Sequence, residues 1–243
     1  MRFQDAARDA RAVVYAGIQA DPLVATCADL LAEASSAQRV LARAAMNGQS
    51  TDAAGWRTAF PGLFGVGAPA PGSDEHDRSE AILSTALAVT ARGEQVRSQV
   101  RGAIVEALTE RLLARRVGPG SLHRERRILF DGVAAEIHPY DVTVERPSSA
   151  EAYDCKWGAR GIGADVLNQL DDARRHAAEE GERLLVALVI FDARRSCEVR
   201  LARQSASREG IRLVSLEALD RLAGGRPPQA AAAAVPPSVE PAR

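Results

Sequence analysis

The chain has 243 residues, 46% of them hydrophobic and 26% charged, with a formal net charge of −1. This composition excludes wholesale disorder, a collagen-like repeat and a disulfide scaffold, and its charge balance announces no nucleic-acid partner by itself. The longest apolar run, Leu184 to Phe191, is too short to cross a bilayer, and Met1 to Asp5 lack the apolar core of a signal peptide. Cys27, Cys155 and Cys197 are odd in number and form no CxxC, so the expectation is a reduced, cytoplasmic protein with no structural zinc and no membrane contact.

Residues 1 to 95 read as a helical, Ala-rich region. Asp21-Pro22 marks a helix start, and Leu23, Cys27, Leu30, Leu31, Ala34 and Leu41 keep a helical spacing. Gly55 to Gly72, rich in Gly and Pro, reads as a loop that docks Trp56, Phe60, Leu63 and Phe64 on a surface. Ser79-Glu80 reads as the start of another helix, with an interruption near Gly93. Gly102 to Arg116 is amphipathic and stops at Gly118-Pro119-Gly120. Three strands are expected next, Arg126 to Phe130, Glu136 to Glu145 and Glu151 to Trp157, the last two joined as a hairpin through Pro147-Ser148-Ser149. Ala164 to Glu180 is a charged helix. Leu184 to Phe191 has the pattern of a strand buried on both faces, and a strand from Ile211 to Leu216 and a short helix from Glu217 to Ala223 follow. Residues 96 to 223 therefore read as a mixed α/β domain, and residues 224 to 243 as a disordered Pro/Ala-rich tail.

Two features of charge stand out. Of 31 basic residues only Lys156 is lysine, and lysine differs from arginine as a compact charge able to change protonation. Residues 96 to 130 hold eight Arg against three acidic residues, the profile of a phosphate-binding surface; the bland alternative is that Arg111, Arg115 and Arg116 form a solvated helix end.

Strand alternation puts Asp141, Thr143 and Glu145 on one face and Tyr140, Val142 and Val144 on the other. In the next strand Asp154 and Lys156 share a face, while Tyr153, Cys155 and Trp157 point into packing. If the hairpin aligns these faces, two carboxylates and an ammonium meet. Two close carboxylates ionise poorly together, and a divalent cation removes that conflict. Oxygen ligands of this kind suit Mg²⁺, which retains waters and accepts a phosphate oxygen. Glu145 and Glu151 read as exposed hairpin charges.

Asp141 followed by Asp154-x-Lys156 across a hairpin resembles the PD-(D/E)xK nucleases, the restriction-endonuclease-like group. The resemblance covers residues 96 to 216 and implies a core of helix, three strands, helix, strand. It also implies that Asp141 and Asp154 bind Mg²⁺, with Mn²⁺ able to substitute, that the Cys155 backbone carbonyl adds a ligand, and that Lys156 serves the attacking water. Glu106 stands where many members carry a Glu on the preceding helix, and Gln169 where several carry a Gln on the following one. Tyr140 before Asp141, with Pro139 one position early, departs from the usual motif, as does Ala173 where one subgroup has Tyr.

The resulting expectation is a metal-dependent endonuclease hydrolysing phosphodiesters, in DNA rather than RNA. Arg124, Arg126 and Arg127 would position the backbone, and a place in restriction or anti-phage defence is implied by resemblance alone. Residues 1 to 95 are then a region for a partner, a homodimer or activation. The alternative is a catalytically inactive nuclease-like module that binds nucleic acid or supports assembly. Gly158-Ala159-Arg160-Gly161-Ile162-Gly163 resembles a dinucleotide loop but is one residue short and follows a charged strand. The sole lysine precedes Trp157 rather than Ser or Thr, against a P-loop, and no GxSxG or HExxH string occurs.

Overall fold

A single sheet with an apolar layer on each face organises the chain. The computed structural model describes residues 1–6, 10–130, 133–134, 138–204, 206 and 209–224. Its strands are β1 (Arg2–Asp5), β2 (Leu122–Phe130), β3 (Val133–Ala134), β4 (Tyr140–Arg146), β5 (Ser149–Lys156), β6 (Leu184–Ile190) and β7 (Ile211–Val214). They form one seven-stranded sheet in the order β1-β2-β4-β5-β6-β7, with β3 paired to β2. The β1, β2, β4 and β5 neighbours pair antiparallel, and β5, β6 and β7 pair parallel. The expected hairpin is present, with Val142 opposite Tyr153. The apolar run of β6 lies between β5 and β7, where both faces are covered and no alternation is needed.

Helices α1 (Ala10–Gln19), α2 (Pro22–Ala32), α3 (Ser36–Asn47), α4 (Ala53–Ala59), α5 (Pro61–Phe64), α6 (Asp74–Thr90) and α7 (Glu94–Ala114) precede the main sheet strands. Asp21 caps α2 by accepting the Leu23 amide at 2.9 Å. A capping box of Ser35 and Gln38 starts α3, which divides the expected continuous run in two. Residues 53 to 64, expected as loop, are two short helices. Asp52 accepts the Ala54 and Gly55 amides at 3.0 and 3.1 Å, and Pro61 opens α5. The docking expectation holds: Leu63 is buried and Trp56, Phe60 and Phe64 pack on the core. Ser73, not Ser79, caps α6. β1 was not foreseen, because four residues with three exposed carry no apolar signal and are defined only by pairing with β2.

On the other side of the sheet lie α8 (Ala164–Glu179) and α9 (Arg194–Leu201), the latter also unforeseen. Each layer has its own core. Val142, Val144, Tyr153 and Cys155 pack with α2, α3, α6 and α7, whereas Ala152, Leu170, Val186 and Leu188 pack under α8. Tyr140, expected beside Val142, is instead in the α8-side core at the first residue of β4. Residues 136 and 137 of the expected second strand and residues 225 to 243 of the expected tail lie outside the described residues.

The expected boundary at 95/96 falls inside α7, and side chains tie the earlier helices to the rest. Arg39 is fully buried, donating to Leu31 O at 3.1 Å and pairing with Asp220 at 2.8 Å near the C-terminal end of the described chain. Arg111 and Arg115 pair with Asp29 and Glu33 of the α2 region, so they are not a free helix end. Glu151, expected as exposed, is buried between Arg116 at 2.9 Å and Arg146 at 2.8 Å. Burial would raise its pKa, but these guanidiniums and the Tyr153 hydroxyl hold it down to about 2. Among the described residues no helix is long and apolar enough to cross a membrane. The three cysteines are free and buried.

Leu108, fully buried in the core shared by the early helices and the sheet, tests this continuity. Leu108→Ala should cost about 2–5 kcal/mol. Trp56 in α4 and Trp157 after β5, followed in single-tryptophan variants, should report one coincident unfolding transition; two separate transitions would show independent units.

Candidate functional site

The charged residues gather where β4 begins and β5 ends. The β4–β5 ladder ends at the Val142–Tyr153 pair, and Asp141 and Asp154 are the residues immediately beyond it on the two strands. Asp141 Oδ2 accepts the Cys155 amide at 2.6 Å, which fixes its carboxylate against β5. Asp154 is buried, and its Oδ1 forms an ion pair with the Lys156 ammonium. Asp141, Asp154 and Lys156 line one cleft of about 600 Å³, together with Glu125, Arg160 and Gln169.

The electrostatics follow from this crowding. Burial raises the Asp141 pKa well above the usual carboxylate range; the charges of Glu106 and Asp154 raise it further, against Lys156 and the Cys155 amide. Burial would lower the Lys156 pKa, but Asp141 and Asp154 outweigh it and hold the side chain above the ordinary lysine range. Lys156 is therefore an ammonium, a donor and not a base.

The other expected residues divide. Glu106 is buried on α7, and its oxygens are taken by the Tyr15 hydroxyl at 2.5 Å and the Gln19 amide at 2.8 Å, both from α1. Burial raises its pKa and these two donors oppose that. The Gln169 side chain clasps the His138 backbone, donating to its carbonyl at 3.0 Å and accepting its amide at 3.2 Å. It steadies the entry to β4 at the rim of the cleft. Cys155 lies in the parallel ladder opposite Val189, between the two charged residues of β5. Arg124 pairs with Glu110, and Arg126 with Asp5 and, at 2.9 Å, Glu145. Arg127 sits on β2 opposite Gln4. Much of the basic segment is thus neutralised within the protein.

Residues not foreseen complete the cleft. Glu125, in β2 between the Arg124–Val142 and Arg126–Tyr140 pairs, has a left-handed φ of 52°, an uncommon state for a side-chain-bearing residue. Its carboxylate receives Gln19 Nε2 at 3.2 Å, and burial raises its pKa. Arg160 is exposed in the turn after β5 and has no ion-pair partner among the described residues. The glycine-rich turn serves Lys156: a Cβ on Gly161 would lie 2.8 Å from Lys156 Cβ and 2.9 Å from its Cγ. The only signal for it in the sequence was glycine itself.

Among the described residues no group of three or more His, Cys, Asp or Glu is arranged to hold a metal ion. Glu106, the expected third carboxylate, is held by α1. Mg²⁺ needs only one or two carboxylates when waters and a substrate phosphate complete its shell. The Asp141 carboxyl, crowded by Asp154 on the wall of the same cleft, fits such an ion. Comparison of the chain with family models, with curated proteins and with solved structures finds no match.

Asp141→Asn provides a test of this crowding. A carboxyl with a raised folded pKa stabilises least when ionised, so wild type should lose stability as pH rises above about 4, the unfolded value. In chelator, Asp141→Asn should therefore be at least as stable as wild type at pH 7, by about 1 kcal/mol, with the advantage fading toward pH 4. Thermal melts at several pH values measure this; a destabilised variant at pH 7 would contradict the crowding.

Proposed function

We propose that this protein is a metal-dependent endonuclease that hydrolyses phosphodiester bonds, DNA being the substrate the family resemblance implies. The observation carrying this reading is the convergence of Asp141, Asp154 and Lys156 on one cleft from two neighbouring strands. The order α7, β2, β4, β5, α8, β6 supports the restriction-endonuclease-like core expected from the sequence.

Asp141 and Asp154 are the residues that would hold the divalent cation. When bound, such an ion polarises a phosphoryl oxygen and lowers the pKa of its water. Lys156, kept protonated by both carboxylates, donates hydrogen bonds to the water oxygen or to charge developing on phosphorus. It does not accept the water's proton in this charge state. Gly161 lets the lysine stem pack against the turn, which fixes its direction. Gln169 and the Cys155 amide position the β4 side of the cleft, and unpaired Arg160 offers a phosphate contact.

The engagement of Glu106 by Tyr15 and Gln19 favours a second reading, a catalytically inactive module that binds nucleic acid. Cleavage assays separate the two. With Mg²⁺ or Mn²⁺ the wild type should cut DNA. Asp154→Ala and Lys156→Ala should each lower the rate by about 10²-fold or more while retaining most of the melting temperature. No cleavage of DNA or RNA with either ion, alongside retained binding, would establish the inactive module.

A further inference from the structure

A second cavity, of about 760 Å³, adjoins the cleft and shares Lys156, Arg160 and Gly161 with it. Its other walls come from the C-terminal end of α3 and the first half of α7. Arg43, Arg97 and Arg101 line it with Lys156 and Arg160; Glu94 and Asp192 are the acids of the lining, and Lys156 is already paired with Asp154 of the adjoining cleft, so four guanidiniums face two carboxylates. Asp192 pairs with Arg43, and Glu94 pairs with both Arg97 and Arg101. Part of this arrangement has a structural purpose. Arg97 and Arg101 donate to the carbonyls of Gly48 at 3.0 Å and Met46 at 3.1 Å, closing the α3 C-terminus. That role uses one edge of each guanidinium. The Nε atoms of Arg43, Arg97 and Arg101 are buried without any acceptor. Trp157 braces the wall, stacked on Phe191 with centroids 4.9 Å apart, while the Arg101 guanidinium lies 5.9 Å from its ring centre. With Phe191 and Arg101 against the indole, charge and not base stacking governs what enters.

Gathering guanidiniums against a deficit of acid is costly unless an anion completes the set. Glu94 bridges two of them, yet its side chain is 65% exposed at the first residue of α7. It is free to swing outward. From this geometry we propose that the cavity binds a phosphate group carrying at least two negative charges, a phosphomonoester or pyrophosphate, and that Glu94 occupies its place in the free protein. A phosphodiester carries a single charge and leaves the excess unmatched. The group is the terminal phosphate of a nucleic-acid strand or that of a free nucleotide. The strand-end source rests on the endonuclease reading above; the anion chemistry does not.

The test measures binding by calorimetry on the full chain in chelator at fixed ionic strength, so that no cleavage enters. Inorganic pyrophosphate, adenosine monophosphate and an oligonucleotide with or without a terminal phosphate are the probes. Wild type should bind pyrophosphate. Glu94→Gln, which removes the competing carboxylate, should bind it about fivefold tighter. Arg101→Gln should bind it about tenfold more weakly or worse. A strand end as source predicts that the terminally phosphorylated oligonucleotide binds about tenfold tighter than its hydroxyl counterpart; a free nucleotide predicts that adenosine monophosphate equals or exceeds it. Undetectable pyrophosphate binding in both wild type and Glu94→Gln overturns the proposal, as does equal affinity in those two proteins. Glu94 is exposed and its variant keeps its shape, so this comparison stands even if Arg101→Gln fails to fold. Pyrophosphate binding without any nuclease activity would sink the endonuclease reading alone, whereas cleavage without pyrophosphate binding would sink this inference alone.

Discussion

Two carboxylates face each other across neighbouring strands, and the site depends on how their repulsion is contained. Asp141 and Asp154 meet because the β4–β5 hairpin is in a register that sets Val142 against Tyr153. A slip of one residue would send one of them through the sheet into the α7-side core. Lys156 answers part of the repulsion through its ion pair with Asp154, and the Cys155 amide answers part of it for Asp141. The repulsion that remains raises the Asp141 pKa. Such residual strain is what a hard cation would relieve, and unrelieved polar strain in a cleft is a recognised mark of a functional site.

The rest of the fold holds this arrangement still. The apolar β6 strand supports β5 from behind along seven paired residues. α7 covers one face of the hairpin and brings Glu106 toward the carboxylates, where Tyr15 and Gln19 of α1 immobilise it. On the opposite face Gln169 of α8 clasps the chain entering β4. Early and late segments meet in the same place: Asn47 of α3 accepts the Trp157 indole N–H at 2.8 Å immediately after Lys156. Residues 1 to 95 thus form part of the wall beside the site.

What the sequence disclosed was local and periodic. The apolar run of β6, the Asp21-Pro22 helix start, the glycine stop after α7 and the shared face of Asp154 and Lys156 each follow from spacing of two or about four residues. What it concealed depends on distant pairing. Arg126 looked free to meet phosphate because Asp5, its partner, lies 121 residues away. Arg116 and Glu151 looked solvated for the same reason. Glu125 was hidden between two arginines, and nothing local announces its left-handed backbone. The α1 residues that hold Glu106 come from a helix whose position is set by tertiary packing rather than by its own pattern. Gly161 was legible as a turn, but its value lies in contact with a lysine stem.

The claim that carries most of this account is that Asp141 and Asp154 form a binding place for one hard divalent ion. Titration of the full chain with Mn²⁺ alone, followed by electron paramagnetic resonance of the free ion, tests it without reference to substrate. The account predicts one saturable ion per chain, released in Asp154→Asn and retained in Glu145→Gln. Absence of saturable binding, or binding that survives Asp154→Asn undiminished, would contradict it.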